Sequence, residues 1–291
     1  MLRKSMIKND KILATNAETA TNLAVEAMLD EVVTWPKPGL VDPISNAGHT
    51  DMNVYTFINS SVTMMPYFKA CWNLGNQFQE SDLTELFRQL RPIGVTAEKT
   101  MFAATNGVNT HKGIVFILGI MVTALGYANQ KKLNTVFDLI NIEKQMTTGL
   151  VKNDLEKAST GLLTAGQKQF QQLGLTGIRG ETEAGFPLVI EYGLPIYESA
   201  QLPQNERNLI ALLAIIAHNY DSNLIKRAHN SDLVTQVQTD AQQIVTNYQE
   251  TGRLDKDRLE KLCDKCATHN LSLGGSADLL ILTIFLEKLI K

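Results

Sequence analysis

The 291-residue sequence has few cysteines, no excess of basic charge and no very long apolar run. Three cysteines, an odd number, do not provide a disulfide framework and fit a reducing compartment. A formal net charge of -3 offers no general attraction for nucleic acid or an anionic membrane. We therefore expect no nucleic-acid partner, and any phosphate-bearing ligand must be bound by local basic residues.

Segments for crossing or entering a membrane are also lacking. The longest uncharged apolar run, residues 113–128, is about 16 residues long, and roughly 18 to 20 are needed to cross a bilayer. The basic start, MLRKSMIKND, is not followed by the apolar run of a secretory signal. These features predict a cytoplasmic protein with a buried core helix at 113–128.

Strand-like alternation is nearly absent, whereas apolar residues recur at spacings of three and four. This pattern predicts an all-α fold, and the even spread of apolar residues predicts one domain over residues 1–291. We predict helices over residues 16–33, 52–78, 82–90, 96–104, 110–129, 135–147, 154–171, 205–218, 233–250, 255–269 and 276–290.

Two segments rich in glycine and proline interrupt the helical pattern. Residues 36–53, PKPGLVDPISNAGHTDMN, contain three prolines, and residues 174–187, GLTGIRGETEAGFP, contain four glycines. Their embedded apolar residues argue against disorder, so we predict ordered loops that carry a site. Residues 187–203, PLVIEYGLPIYESAQLP, are predicted to be extended and irregular.

The stretch TNGVNTHKGIVF outlines an anion site. Gly107 is expected to end one helix, Asn109 or Thr110 to cap the next, and His111 and Lys112 to lie in its first turn. Free amides at a helix start favour an anion, to which a lysine adds a full charge. A plain helix cap with a solvated lysine explains the same residues equally well.

GIRGETEAG offers a second anion site. A guanidinium between glycines, Arg179, suits phosphate, and the nearby Glu181 and Glu183 suit a divalent metal that bridges phosphates. An ordinary surface ion pair is the alternative.

Two further helix entrances carry polar groups. In NAGHTDMN, Asp51 is the expected N-cap of the following helix, and His49 precedes it. In LSLGGSADLL, Ser276 and Asp278 stand at the start of a helix that is apolar almost all round.

The remaining polar stretches favour structural roles. HNYDSNLIKRAH resembles an ordinary polar turn, and CDKC, which contains Cys263 and Cys266, reads as two helical cysteines rather than a zinc or redox site. Taken together, the glycine-marked helix entrances indicate one cavity with both carboxylates and cations, which suits a metal-bound polyphosphate.

Five segments carry a family resemblance: KPGLVDPISNAGHTDMN, TNGVNTHKGIVFILG, GIRGETEAGFP, DSN and LSLGGSADLL. In this order and spacing, over about residues 20–288, they resemble the triphosphoribosyl-dephospho-coenzyme A synthases. The sequence departs from the usual family residues at Asn53, Asn106, Ser222 and Leu273. Asn53 matters most, because it replaces a carboxylate beside Asp51 and puts a metal-ligand role for that position in doubt.

The resemblance implies an all-α enzyme that joins the triphosphoribosyl group of ATP to 3′-dephospho-coenzyme A and releases adenine. The product would pass, by way of a holo-transferase, to the acyl carrier protein of citrate lyase, or of malonate decarboxylase in a sister branch. Whether the chain forms a homodimer is left open.

That chemistry assigns roles to the residues above. Asp51, with Glu98 as the second candidate, would stabilise positive charge on the ribose, and His49 would act as acid or base. The phosphate-binding candidates are Lys37, His111, Lys112, Arg179 and Ser276. The candidates for binding the expected Mg²⁺ are Asp42, Glu181, Glu183 and Asp278.

Two other functions fit parts of the pattern. A nucleoside or ADP-ribose hydrolase would use the same ribosyl chemistry with water as the nucleophile. A non-catalytic nucleotide-binding module would need only the helix caps, and it would bind ATP without releasing adenine.

Overall fold

A computed structural model of the chain describes residues 10–13, 16–156, 163 and 165–290, and it is built from helices. Fourteen α-helices and two short π-helices account for all named elements of the described residues. In chain order they are α1 (Ala17–Val33), α2 (Val54–Thr63), α3 (Met65–Gln77), α4 (Leu83–Ala104), α5 (Lys112–Lys131), α6 (Val136–Met146), π1 (Lys152–Glu156), α7 (Ala165–Leu173), α8 (Gly177–Glu183), π2 (Val189–Gly193), α9 (Leu194–Ser199), α10 (Gln204–His218), α11 (Ser222–Ala228), α12 (Ser231–Thr251), α13 (Lys256–Thr268) and α14 (Gly274–Ile290).

The predicted all-α class is confirmed, and α1, α5, α6, α10, α12, α13 and α14 match predicted helices within a few residues. The predicted helix over 52–78 is wrong as one unit, because it divides at Met64 into α2 and α3. Pro66 lies in the first turn of α3, a position that proline tolerates because no intrahelical partner is lost there.

The predicted gap between 90 and 96 is also wrong, since α4 runs through Pro92 without a break. Both halves of α4 bury one face, with Leu86 and Leu90 before the proline and Ala97 and Met101 after it. Tertiary packing thus holds the helix together across a residue that on its own costs about 3 kcal/mol in a helix interior.

Two stretches predicted as irregular contain helices. Within 174–187 the chain forms α8, and residues 187–203 contain π2 and α9. Pro195 lies in the first turn of α9, so it starts the helix instead of excluding it. The helix predicted over 154–171 is not one continuous element: π1 and α7 occupy its ends, and residues 157–162 and 164 lie outside the described residues.

The core is organised around α5, which is buried on nearly all sides. Helices α3 and α5 cross closely, because a Cβ on Gly75 would lie 1.9 Å from the Thr123 carbonyl and one on Gly126 would lie 2.2 Å from the Trp72 carbonyl. By length and composition α5 is the one described helix that could cross a membrane, but 72% of its most apolar window is buried inside the protein. It is therefore accounted for as a core helix.

The segment 36–53 is non-helical, as predicted, and it leads into α2 through a different cap from the one expected. Asn53, not Asp51, is the N-cap of α2, where its side chain accepts from the Thr56 amide and the Thr56 hydroxyl accepts from the Asn53 amide. This reciprocal pair is a capping box. Asp51 is thereby left outside the helix.

Candidate functional site

One cavity of about 810 Å³ collects residues from all five segments that the sequence singled out. Its walls are the loop that contains His49, the start of α5, the α8 region, the α10–α11 connection and the start of α14. The polar and charged residues that line it include Glu31, His49, Asn109, His111, Lys112, Glu181, His218, Asp221, Asn223, Lys226, Arg227 and Asp278. Cations and carboxylates therefore face a common space.

The start of α5 forms one wall. Asn106, in the left-handed conformation, and Gly107 close α4, with the Gly107 amide donating to the Phe102 carbonyl. The Asn109 side chain then accepts from the Lys112 amide at 3.2 Å. The ammonium of Lys112 lies 3.0 Å from Glu98, whose carboxylate is about 30% exposed. Lys112 is thus a half-exposed cation at the entrance of the cavity.

Asp278, near the start of α14, lies beside the start of α5 in the cavity wall. A Cβ on Gly113 would lie 1.9 Å from Asp278 Oδ2, so the carboxyl group lies directly against this glycine. Burial raises the pKa of Asp278 well above its usual value, and the nearby Asp221 and Glu31 raise it further. The described residues supply no hydrogen-bond partner for this carboxyl group, which leaves it available to a ligand.

Asp221 fixes the geometry of the opposite wall. Its Oδ1 accepts from the Asn223 and Leu224 amides at the start of α11, and its Oδ2 accepts from the amide and hydroxyl of Ser276 in α14. Burial raises the pKa of Asp221, and these hydrogen bonds partly offset the rise. One carboxyl group therefore joins the starts of two helices.

Glu181, on α8, contributes a third carboxyl group with a raised pKa. Its Oε1 accepts from the Leu188 amide at 2.6 Å. Burial raises its pKa to about 7, despite that hydrogen bond, and Glu191 contributes to the rise. A carboxyl group that titrates near neutral pH is suited to proton transfer.

His49 and Arg227 lie at another edge of the cavity. Burial lowers the pKa of His49, Arg227 lowers it further, and Asp51, whose carboxylate is 3.8 Å from Nδ1, opposes the change. Asp51 itself is 58% exposed and does not line the cavity. Arg227 is oriented by hydrogen bonds to the backbone and side chain of Asn270.

The structure brings His49, His111, Lys112, Glu181 and Asp278 together from the predicted site residues. The other predicted residues, all described, lie outside the lining: Lys37, Asp42, Asp51, Glu98, Arg179, Glu183 and Ser276. Most of these are held by protein partners.

The basic residues outside the lining are paired with protein groups. Lys37 is buried and donates to the carboxylate and the backbone carbonyl of Glu31. Arg179 pairs with Asp154 of π1 at 3.1 Å. The Ser276 hydroxyl donates to Asp221, as described above.

The acidic residues outside the lining hold the backbone. Asp42 accepts from the amides of Lys37, Ile44 and Ser45 and so shapes the 36–53 loop. Glu183 accepts from the Gly149 and Val151 amides. Within the described residues, no group of three or more histidine, cysteine or acidic side chains is arranged to hold a metal ion.

The two cysteines of α13 do not belong to such a metal-binding group of side chains within the described residues either. Cys263 and Cys266 are free, and burial raises the pKa of both thiols to about 12. Thiols that resist ionisation are poor nucleophiles and poor metal ligands. The structural interpretation of CDKC is therefore the one that the geometry supports.

Sequence reasoning treated the α10–α11 connection as an ordinary turn and missed its contribution. Asn223, Lys226 and Arg227 of α11 line the cavity, as does His218 at the end of α10, whose ring stacks on Tyr192 with centroids 3.7 Å apart. The available signal was the density of polar and charged residues in HNYDSNLIKRAH.

Comparison with known proteins identifies the family. The family described as "CitG: ATP:dephospho-CoA triphosphoribosyl transferase" matches residues 17–291. The chain belongs to this family. Its residues 17–291 include every segment that lines the cavity, so the CitG family match and the site coincide.

Relatives of the CitG family from several bacteria are similar to the chain. "Protein CitXG" of Leuconostoc mesenteroides subsp. cremoris is 47% identical over 276 residues, which are 92% of this chain and 58% of that protein. The chain thus spans little more than half of that relative. "Probable 2-(5''-triphosphoribosyl)-3'-dephosphocoenzyme-A synthase" of Lactiplantibacillus plantarum is 46% identical over 91% of this chain and 95% of its own length.

"2-(5''-triphosphoribosyl)-3'-dephosphocoenzyme-A synthase" of Pectobacterium atrosepticum is 39% identical over 88% of this chain and 84% of its own length. No solved structure matches the chain.

Proposed function

We propose that this chain transfers the triphosphoribosyl group of ATP to 3′-dephospho-coenzyme A and releases adenine. The observation that carries the proposal is the single cavity in which segments distant in sequence place cations, free helix-start amides and carboxyl groups with raised pKa values. Membership of the CitG family supports the same reaction.

The reaction exchanges one bond to the anomeric carbon of ribose for another. The bond between that carbon and adenine breaks, and a ribose hydroxyl of 3′-dephospho-coenzyme A forms the new bond. The hydroxyl loses a proton and the departing adenine gains one, so atoms and charge balance. Positive charge develops on the ribose of ATP in the transition state, which a nearby carboxylate stabilises.

The start of α5 is our candidate for the triphosphate. The described residues provide no acceptor for the Gly113 and Ile114 amides, and these groups point out of the positive end of a 20-residue helix. Lys112 adds a charge beside them, and Lys226 and Arg227 add two more from α11. These cations would hold the phosphates without promoting phosphoryl transfer.

Asp278 is our candidate for contacting a magnesium ion that accompanies the triphosphate. Its carboxyl group has no protein partner in the described residues, and magnesium in nucleotide sites is commonly bound by one or two carboxylates together with substrate phosphates. The ion would neutralise phosphate charge. Asp42 and Glu183, which already accept from backbone amides, are weaker candidates than the sequence indicated.

Glu181 is our candidate for accepting the hydroxyl proton. It lines the cavity, and its pKa of about 7 lets it take up a proton at neutral pH and release it again. Asp51 and Glu98, predicted from the sequence to stabilise the ribose, stay predictions, and they lie farther from the cavity than Glu181 and Asp278 do.

The product is the precursor of the citrate lyase prosthetic group. We propose that a holo-transferase passes it to the acyl carrier protein of that enzyme, in the cytoplasm.

The test is incubation with ATP, Mg²⁺ and 3′-dephospho-coenzyme A, followed by chromatography for adenine and mass spectrometry for a product heavier by one triphosphoribosyl unit. Asp278→Asn should lower the rate at least about tenfold, because an amide cannot replace the carboxylate that would contact the magnesium ion. Asp264→Asn, on the exposed face of α13, is the matched control and should leave the rate unchanged.

Adenine formation that is indifferent to 3′-dephospho-coenzyme A would indicate hydrolysis with water as the nucleophile. ATP binding with no adenine formed would indicate a binding module. Either result would refute the proposed reaction.

A further inference from the structure

His111 is a cavity residue whose surroundings differ from those of the other candidate phosphate ligands. It is the N-cap residue of α5, only 1% exposed, and it packs edge to face against Phe57 with ring centroids 5.1 Å apart. Its backbone amide donates to the sulfur of Met101. Both His111 and Phe57 line the cavity, so the ring is fixed in the cavity wall.

Two hydroxyl groups behind the ring, those of Thr110 and Ser60, favour one tautomer of His111. The Thr110 hydroxyl donates to Ser60 Oγ at 2.8 Å, and Ser60 Oγ lies 2.8 Å from His111 Nδ1. With the Thr110 hydroxyl as donor to Ser60, the Ser60 hydroxyl is left to donate to His111 Nδ1. Nδ1 must be unprotonated to accept it, so the ring proton of the neutral imidazole lies on Nε2.

The opposite side of the ring has an unmet hydrogen bond. His111 Nε2 is buried and has no partner among the described residues. A buried donor without an acceptor is costly and rare in folded proteins, so an unmet donor in a cavity wall calls for a partner that the protein itself does not supply. The cavity that His111 lines supplies the space for such a molecule.

The ring is uncharged at physiological pH. Burial lowers the pKa of His111 to about 3, and the nearby Lys37 charge contributes to the fall. An imidazole in this environment does not act as a cation toward phosphate, and it stays neutral near neutral pH.

We propose that His111 is an uncharged hydrogen-bond donor, through Nε2–H, to the nucleotide bound in the cavity, and that Ser60 is a positioning residue that sets its tautomer. The proposal rests on the proposed function for the identity of the ligand. It separates His111 from Lys112, the next residue, which contributes charge.

Nuclear magnetic resonance of the protein labelled with ¹⁵N at histidine tests the tautomer directly. The spectra of His111 should show a proton on Nε2 and none on Nδ1, unchanged between pH 5 and pH 8. Saturating ATP with Mg²⁺ should shift the Nε2 resonance. A proton on Nδ1, titration near pH 6.5, or an Nε2 resonance that ignores ATP while calorimetry detects ATP binding would each overturn the proposal.

Variants test the donor in turnover. His111→Gln keeps a neutral donor and should retain more activity than His111→Ala, which should lose roughly tenfold or more in kcat/KM for ATP, and more than His111→Lys. A cationic role predicts the reverse order for Gln and Lys, and that order would refute the donor role.

Ser60→Ala tests the positioning role against a matched neighbour. It should lower kcat/KM for ATP and populate the Nδ1–H tautomer in the ¹⁵N spectra. The control, Ser61→Ala, removes an equally buried hydroxyl that donates to the Phe57 carbonyl, and it should leave the His111 tautomer unchanged. An unaltered tautomer in Ser60→Ala would refute the positioning role. The tautomer of His111 is measured without substrate. A wrong tautomer would therefore be detected independently of whether the protein transfers the triphosphoribosyl group.

Discussion

Replacing Glu181 by glutamine should change both stability and turnover, in a way that depends on pH. The amide oxygen of glutamine still accepts from the Leu188 amide, so the hydrogen bond of the wild type is kept. What is removed is a carboxyl group whose pKa is raised from 4.5 to about 7 by burial. Glu181→Gln therefore isolates the cost of ionising this group inside the cavity.

The raised pKa of Glu181 sets the direction in which its contribution to stability changes with pH. The folded protein keeps a proton that the unfolded chain releases, so this contribution to stability is complete below about pH 4.5 and is lost as the pH rises through about 7. The pKa change corresponds to at most about 3 kcal/mol, and residual solvent access reduces it. Relative to wild type, Glu181→Gln should thus gain stability between pH 5 and pH 8.

Urea unfolding followed by far-ultraviolet circular dichroism at pH 5, 6, 7 and 8 measures this difference. Adenine release should fall by about 10²-fold or more in the same variant, because the proton acceptor is lost. Glu260→Gln, on the exposed face of α13, is the control for removing a carboxylate. A stability difference that stays flat from pH 5 to pH 8 would refute a raised pKa at Glu181.

Three further substitutions test the cavity and the core. Gly113→Ala places a methyl group against the Asp278 carboxyl group, so kcat/KM for ATP should fall at least about tenfold in steady-state kinetics. An unchanged kcat/KM would show that Asp278 moves aside freely. Gly126→Ala places a Cβ too close to the Trp72 carbonyl oxygen, so urea titrations should show the free energy of unfolding lowered by about 1–3 kcal/mol. A variant as stable as wild type would contradict the close crossing of α3 and α5. Lys112→Ala should raise KM for ATP and weaken its salt dependence, and identical salt slopes would exclude a phosphate contact.

Sequence periodicity predicts the long helices of this fold because each buries a broad apolar face. It predicts less well where proline and glycine occur. Pro92 lies inside α4 since the core holds both halves, and Pro195 falls in the first turn of α9, where its missing amide is not needed. At Met64, by contrast, a pattern that reads as continuous is divided. Packing can therefore keep a helix continuous across a proline, and it can divide a helix where the sequence pattern is continuous.

The site is predictable as a set of segments and not as a set of contacts. Glycine and polar residues identified the segments of most cavity walls, but which side chain faces the cavity depends on partners far along the chain. Arg179 is occupied by Asp154, and Ser276 by Asp221, 55 residues away in sequence. No spacing rule specifies such pairs. For the same reason the sequence did not show that Lys226 and Arg227 of α11 line the cavity.

The double role of Asp221 has a mechanical consequence. Since one carboxyl group ties the first turns of α11 and α14, a ligand that pulls on Lys226 or Arg227 also acts on the helix that carries Asp278. The two sides of the cavity are therefore joined at Asp221, and moving them apart would break its hydrogen bonds to Ser276 or to the first amides of α11.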